Sequence, residues 1–354
     1  MTPVEPDSDD TVRVLPLPRR NYRGWLAAAA VAALLGVSAG GWLLWPGPST
    51  PPSAIPLSAT PPSATLPSTS APTVAAPVPS DALAAASRPA LPVEIATEQQ
   101  IRDHAPAGLS VFRFTDNPRI LVLDFASLHE QGRMLNRVAA LVEKAGLPRD
   151  RVLTDGQLGE AIRSQGDTVE TFYYGHDYGA ESLVRFFALA DRDRIELNPE
   201  EEQLRALLHQ EGWFAPGANA ALISLTAAGA DAKVTLGARI AILRHELSHG
   251  EFFSNPVYAE YVHDFWLTAL TGTERAAFRS FLAKDEYDTG NEELMYNEMQ
   301  AYLMFTRDPL FFTAELAGLT PGRLGELQSR FLAGMPPGWL RDILAGYQEP
   351  ASAR

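Results

Sequence analysis

The string Arg244-His245-Glu246-Leu247-Ser248-His249-Gly250 brings two imidazoles and a carboxylate together. On a helix, positions i and i+4 stand one turn apart on the same face, so His245 and His249 can reach one ion. Neutral imidazole nitrogens suit Zn²⁺, and a zinc that keeps a position open for water is catalytic rather than structural. Glu246, beside the first histidine, is placed to take a proton from that water. The chemistry this pattern predicts is metal-assisted hydrolysis, with His245 and His249 as ligands and Glu246 as the catalytic base. A helix is required, and the apolar run Ile240-Ala241-Ile242-Leu243 ahead of the motif predicts one over 235–253, walled against a core. The competing reading is a half-buried helix whose histidines only hydrogen-bond to their neighbours.

A third protein ligand must come from elsewhere. In the metzincin pattern it is a histidine six residues beyond His249 with a glycine between, but Asn255 and Phe252 hold those positions. In the gluzincin pattern it is a glutamate on a later helix, and residues 291–303 offer Glu292, Glu293 and Glu298. Gly290-Asn291 reads as a helix cap, which puts Glu292 and Glu293 in a first turn where the helix dipole favours carboxylates. Glu298 lies deeper, among Leu294, Met295, Ala301 and Tyr302 at i±3 and i±4. A carboxylate on such a stripe needs a partner, either a metal or an arginine from another element.

His245-Glu246-x-x-His249 followed 49 residues later by Glu298, in the setting Asn297-Glu298-x-x-Ala301, resembles the gluzincin branch of the zinc metallopeptidases. The resemblance covers residues 220–303. It implies a zincin-like fold, in which a small sheet packs on the active-site helix and a helix of the following subdomain supplies Glu298 as third ligand. It also implies that 220–226 is the edge strand beside the cleft, offering backbone to an extended peptide. One departure stands out: the extended pattern prefers an apolar residue two after the second histidine, and here it is Glu251.

Other polar residues invite weaker readings. Tyr258, Tyr261, His263, Tyr287 and Tyr296 could each stabilise a developing oxyanion, although aromatics at helical spacing are commonly core. Tyr173-Tyr174-Gly175-His176-Asp177 reads as a surface loop, with a cleft lining as the alternative. Glu200-Glu201-Glu202 reads as the acidic first turn of a helix.

The elements that must position these residues follow an α+β order. Strands are expected at 109–114, 119–125 and 220–226, and helices at 127–146, 180–190, 199–210 and 235–253, after which the pattern is helical. The globular domain is expected over 93–354. With five acids and five basic residues before it, the domain carries the whole net charge of −14. That acidity argues against nucleic-acid binding. The chain has no cysteine, so disulfides, thiolate zinc sites and cysteine nucleophiles are excluded.

Residues 24–45 contain no charged side chain. A helix of that length spans about 33 Å, matching the ~30 Å bilayer core. Arg13, Arg19, Arg20 and Arg23 precede it, which predicts a cytoplasmic tail at 1–23 and a domain on the far side. Val37-Ser38-Ala39 imitates a signal-peptide cleavage site, and Arg19-Arg20 faintly resembles a twin-arginine signal. The apolar run continues past Ala39 to Trp45, which favours a retained anchor. Residues 46–92 hold 13 of the 28 prolines and read as an extended linker.

Together these readings predict a zinc metallopeptidase with a peptide or protein substrate. It would be anchored by one helix in a bacterial inner membrane with its domain periplasmic or extracellular. The alternative is a non-catalytic zincin-like module that binds a cell-envelope partner; an intact Glu246 argues against it.

Overall fold

Most of the strands form where β-branched and large apolar residues run together. In the computed structural model, which describes residues 91–345, β1 (Val93–Ala96) leads into α1 (Glu98–Asp103). Thr97 and Gln100 close a capping box at the start of α1. β2 (Ser110–Phe114) and β3 (Ile120–Phe125) follow, then α2 (Leu128–Val142) and α3 (Asp155–Ser164). β4 (His176–Gly179), α4 (Ala180–Asp193), α5 (Pro199–Gln210) and β5 (Ala221–Thr226) complete the strand-bearing half. The expected tail 1–23, the span 24–45, nearly all of the linker, and residues 346–354 lie outside the described residues. Among the described residues, no helix is long and apolar enough to cross a membrane.

The five strands make one sheet in the order β1-β2-β3-β5-β4. β3 and β5 are parallel, Ile120 opposite Ala221, while β4 runs antiparallel to β5, His176 opposite Ser224. The expectation that 220–226 is an edge strand is therefore corrected: β5 lies inside the sheet and β4 is the edge on its side. The reason is burial. All six residues of β5 are buried, and an outer position would leave one row of their backbone groups unpaired.

Strand alternation sends Leu121, Leu123 and Phe125 to one face, against α2, α4 and α5. Ile120 and Val122 face the other way, with Ile223 and Leu225, onto α1 and α6 (Leu236–Ser254). The third core is helical. It joins α7 (Pro256–Thr268), α8 (Gly272–Leu282), α9 (Glu292–Gln300), α10 (Pro321–Gly334) and α11 (Trp339–Ala345). Helix α6 separates this core from the sheet, and most of its residues are buried. The molecule is thus a mixed α+β domain with a five-stranded sheet and a mostly helical C-terminal half, as the sequence pattern predicts.

Three boundaries explain how α6 and α9 are held. Thr235 caps α6 by accepting from Ala238 N–H. Asn255 ends α6 and starts α7, its Oδ1 accepting from Val257 and Tyr258 N–H ahead of a helix that begins with Pro256. Asn291 caps α9 by accepting from Leu294 N–H, which is the cap expected there.

Candidate metal centre

His245 and His249 lie one turn apart in the middle of α6, with their Nε2 atoms 3.0 Å apart. Glu298 reaches them from α9: its Oε2 is 3.6 Å from His245 Nε2 and 3.8 Å from His249 Nε2. A tetrahedral zinc with bonds of about 2.0–2.1 Å separates its ligand atoms by about 3.3 Å, so this triangle is of the right size. Glu298 is 1% exposed and its Oε2 has no hydrogen-bond partner. No arginine neutralises it, so the alternative partner considered from the sequence is absent among the described residues. Two imidazoles and a carboxylate whose buried oxygen is orphaned make a donor set that could hold a metal ion, of a kind that suits zinc.

The helices are pinned side by side by a chain of hydrogen bonds. Gln300 Nε2 donates to Ser248 Oγ at 3.0 Å, and Ser248 Oγ donates to the His245 carbonyl at 2.6 Å. Tyr258 Oη, on α7, donates to Gln300 Oε1 at 2.7 Å. These contacts fix the register that sets Glu298 opposite the histidines.

Burial governs the charge states. It pulls His245 down to about 3 and His249 to about 4, so both imidazoles are neutral at pH 7, the form that ligates metals. It pushes Glu298 up to about 7 against the pull of His249. Glu246, 5% exposed, is also shifted upward, first by burial and then by Glu298 and Glu143; its Oε2 has no partner. Gly175 makes room for it. A Cβ there would overlap Glu246 Oε1 and stand 2.7 Å from Cδ.

Asp177, which the sequence reading placed in a loop with a cleft lining as the alternative, belongs to this cluster. Residues 173–177 are corrected from a surface loop to the approach and start of the edge strand β4, with His176 and Asp177 buried. Alternation divides them. His176 turns to the α2 side, where its ring nitrogens lie 3.1 Å from Ser224 Oγ and 3.3 Å from Asn136 Oδ1. Asp177 turns to α6, its Oδ1 3.7 Å from His249 Nδ1, and with Glu246 and His249 it forms a second group able to hold a metal. The available signal was the period-2 alternation of His-Asp-Tyr, too short to be read as a strand without its partner.

The oxyanion candidates separate. Tyr258 is committed to Gln300, and Tyr261 Oη donates to the Phe331 carbonyl at 2.5 Å. Tyr287 is buried, its phenol held up by burial and then by the charge of Glu298. Tyr302, which the sequence reading did not single out as a donor, packs edge-on against His245 with ring centres 4.8 Å apart. His263 and Tyr296 line a cleft of about 640 Å³ together with Gly179, Phe252, Phe253 and Glu293. Glu292 accepts from Trp266 Nε1 at 2.6 Å and pairs with Arg279, so it and its neighbour stay in the first turn of α9, away from the histidines. Glu251, the departure from the zincin pattern, is a structural hub: it accepts from Asn117 and Asn255 at 2.7 Å and from Trp339 Nε1 at 2.8 Å. Glu201 lies in the acidic first turn of α5, as expected, where it closes a capping box with Asn198 and also pairs with buried Arg137 at 3.0 Å.

No family model matches this chain, and no curated protein and no solved structure is significantly similar to it.

Proposed function

We propose that the domain is a zincin-like, zinc-dependent metallohydrolase that cleaves peptide bonds. The observation that carries this reading is the convergence of His245, His249 and Glu298 within 3.8 Å of one another, beside an orphaned Glu246 carboxylate oxygen. His245, His249 and Glu298 hold the ion. When bound, zinc supplies Lewis acidity towards a water and the scissile carbonyl. Glu246 takes the water's proton and passes it to the leaving amine, a role suited to a carboxylate whose proton affinity burial has raised.

The edge strand β4 offers backbone to an extended peptide, since strand addition places a substrate beside the side chains of the edge. The cleft at Gly179, Phe253 and Tyr296 continues that edge away from Asp177. In the same proposal the charge-free run 24–45 anchors the chain in a bacterial inner membrane and 46–92 extends the domain outward.

The test combines metal analysis with a peptide-cleavage assay. Glu246→Gln should keep its zinc and lose hydrolysis by about 10²-fold or more. Full hydrolysis by that variant would remove the catalytic reading, and a wild-type chain that takes up no zinc would remove the metal.

A further inference from the structure

The segment that follows the third-ligand helix departs from α geometry. After Gln300, residues Ala301–Phe305 form a π-helical turn, closed where Thr306 N–H donates to the Ala301 carbonyl at 3.1 Å. A single π-turn is costly in hydrogen-bond geometry and tends to occur where a side chain must be re-aimed. Here the re-aimed side chain is Thr306, 6% exposed, whose Oγ1 stands 2.7 Å from His245 Nδ1.

The direction of that bond follows from proton counting. A threonine hydroxyl has one proton and two lone pairs. Thr306 Oγ1 donates its proton to the Ala301 carbonyl at 3.1 Å. A carbonyl can only accept, so both contacts are satisfied together when Thr306 Oγ1 accepts from His245 Nδ1–H; that assignment leaves the lone pair on Nε2, the nitrogen that faces His249 Nε2 and Glu298 Oε2. A neutral imidazole carries only one N–H, so the partner of Nδ1 decides which nitrogen can ligate.

We infer that Thr306, set by the π-turn, is a positioning residue that locks His245 in its Nδ1-protonated, metal-competent tautomer. One element then supplies both the Glu298 ligand and the orientation of the first histidine. The metal consequence rests on the function proposed above, while the tautomer itself does not.

The experiment is ¹⁵N-histidine NMR of the metal-free full chain, read beside zinc affinity by chelator competition. In the wild type His245 should show a protonated Nδ1 and an unprotonated Nε2. Thr306→Val, which keeps the shape but removes the acceptor, should lose that single tautomer and weaken zinc 10- to 100-fold, the scale of an outer-shell partner. Thr306→Ser should restore both, and the thermal midpoint of the metal-free Val variant serves as the fold control. An Nε2-protonated His245 in the wild type, an unchanged tautomer in Thr306→Val, or equal damage from Val and Ser each overturns the inference. A correct tautomer in a chain that binds no zinc would leave the lock standing and sink the metal reading instead.

Discussion

Arg239 and His245 lie six residues apart on α6, both buried, yet their surroundings treat polar atoms in opposite ways. Around Arg239 every strong demand is met. Its guanidinium donates to both oxygens of Asp124 at 2.8 Å, to the Thr226 carbonyl at 2.5 Å and to the Ile101 carbonyl at 2.7 Å, and His104 Nδ1 lies 2.7 Å from Asp124 Oδ2. This node ties α1, β3 and β5 to the start of α6. Around His245 and His249, in contrast, Glu246 Oε2, His249 Nδ1 and Glu298 Oε2 have no hydrogen-bond partner, and Glu143 and Asp177 add further buried carboxylates. A network that only holds a fold satisfies its members, because each orphan costs about 1–3 kcal/mol. A cluster left short of positive charge is what the proposed metal site calls for, and that sets this end of α6 apart from the Arg239 end.

The largest effect should come from breaking the satisfied end. Arg239→Ala leaves Asp124 charged and buried, so denaturant unfolding should show a loss of about 3–5 kcal/mol. Glu298→Gln, measured with chelator present, should cost nothing or stabilise, because it removes a buried charge that has no partner. Equal losses from the two substitutions would erase the contrast.

The next effect is pH dependence at the unsatisfied end. Burial, reinforced by the charge of Glu298, pushes Glu143 from 4.5 up to about 8. Between those values the folded chain holds a proton that the unfolded chain has released. Glu143 should therefore make the stability of the chelated protein fall as pH rises through that window, contributing up to about 1.4 kcal/mol per unit. Urea midpoints at pH 5, 6.5 and 8 should show a downward slope, and Glu143→Gln should make it shallower, with Glu246, Asp177 and Glu298, raised in the same direction, keeping their share. A slope that Glu143→Gln leaves unchanged would mean that Glu143 is ionised throughout.

Zinc should reverse the shortage. At 100 times its Kd it should raise stability by about 2.7 kcal/mol. Glu298→Ala should abolish that gain, and Glu293→Ala, in the exposed first turn of α9, should leave it intact. If Glu293→Ala lost the zinc effect and Glu298→Ala kept it, the ligand assignment would fail.

The smallest effect concerns the space beside Glu246. In Gly175→Ala the new Cβ displaces a flexible carboxylate end rather than backbone, so the thermal midpoint and zinc content should hold. Hydrolysis should fall about tenfold, since catalysis is sensitive to displacements of an ångström. Unchanged turnover would show that the carboxylate need not occupy the place Gly175 leaves for it.

Much of the fold was legible locally. The strand over 119–125, the helix over 199–210 and the motif helix were readable from periodicity and caps, because apolar spacing and capping chemistry act within a few residues of sequence. The edge position was not. Residues 221–226 look alike whether inside or at the rim of a sheet, and β4 has only four residues, below the length at which alternation is readable.

By itself, the sequence determined the chemistry on offer: two imidazoles one turn apart, a carboxylate between them, and Glu298 on the apolar stripe of a later helix. The donors are set by residue type, and a helix fixes their spacing without reference to anything distant. Tertiary structure alone decided what surrounds them. Asp177 comes to face His249 because β4 pairs with β5, and Thr306 reaches His245 because a π-turn re-aims it across 61 residues of chain. Such partners depend on strand order and helix register, which arise only when the whole core packs, so no local pattern announces them.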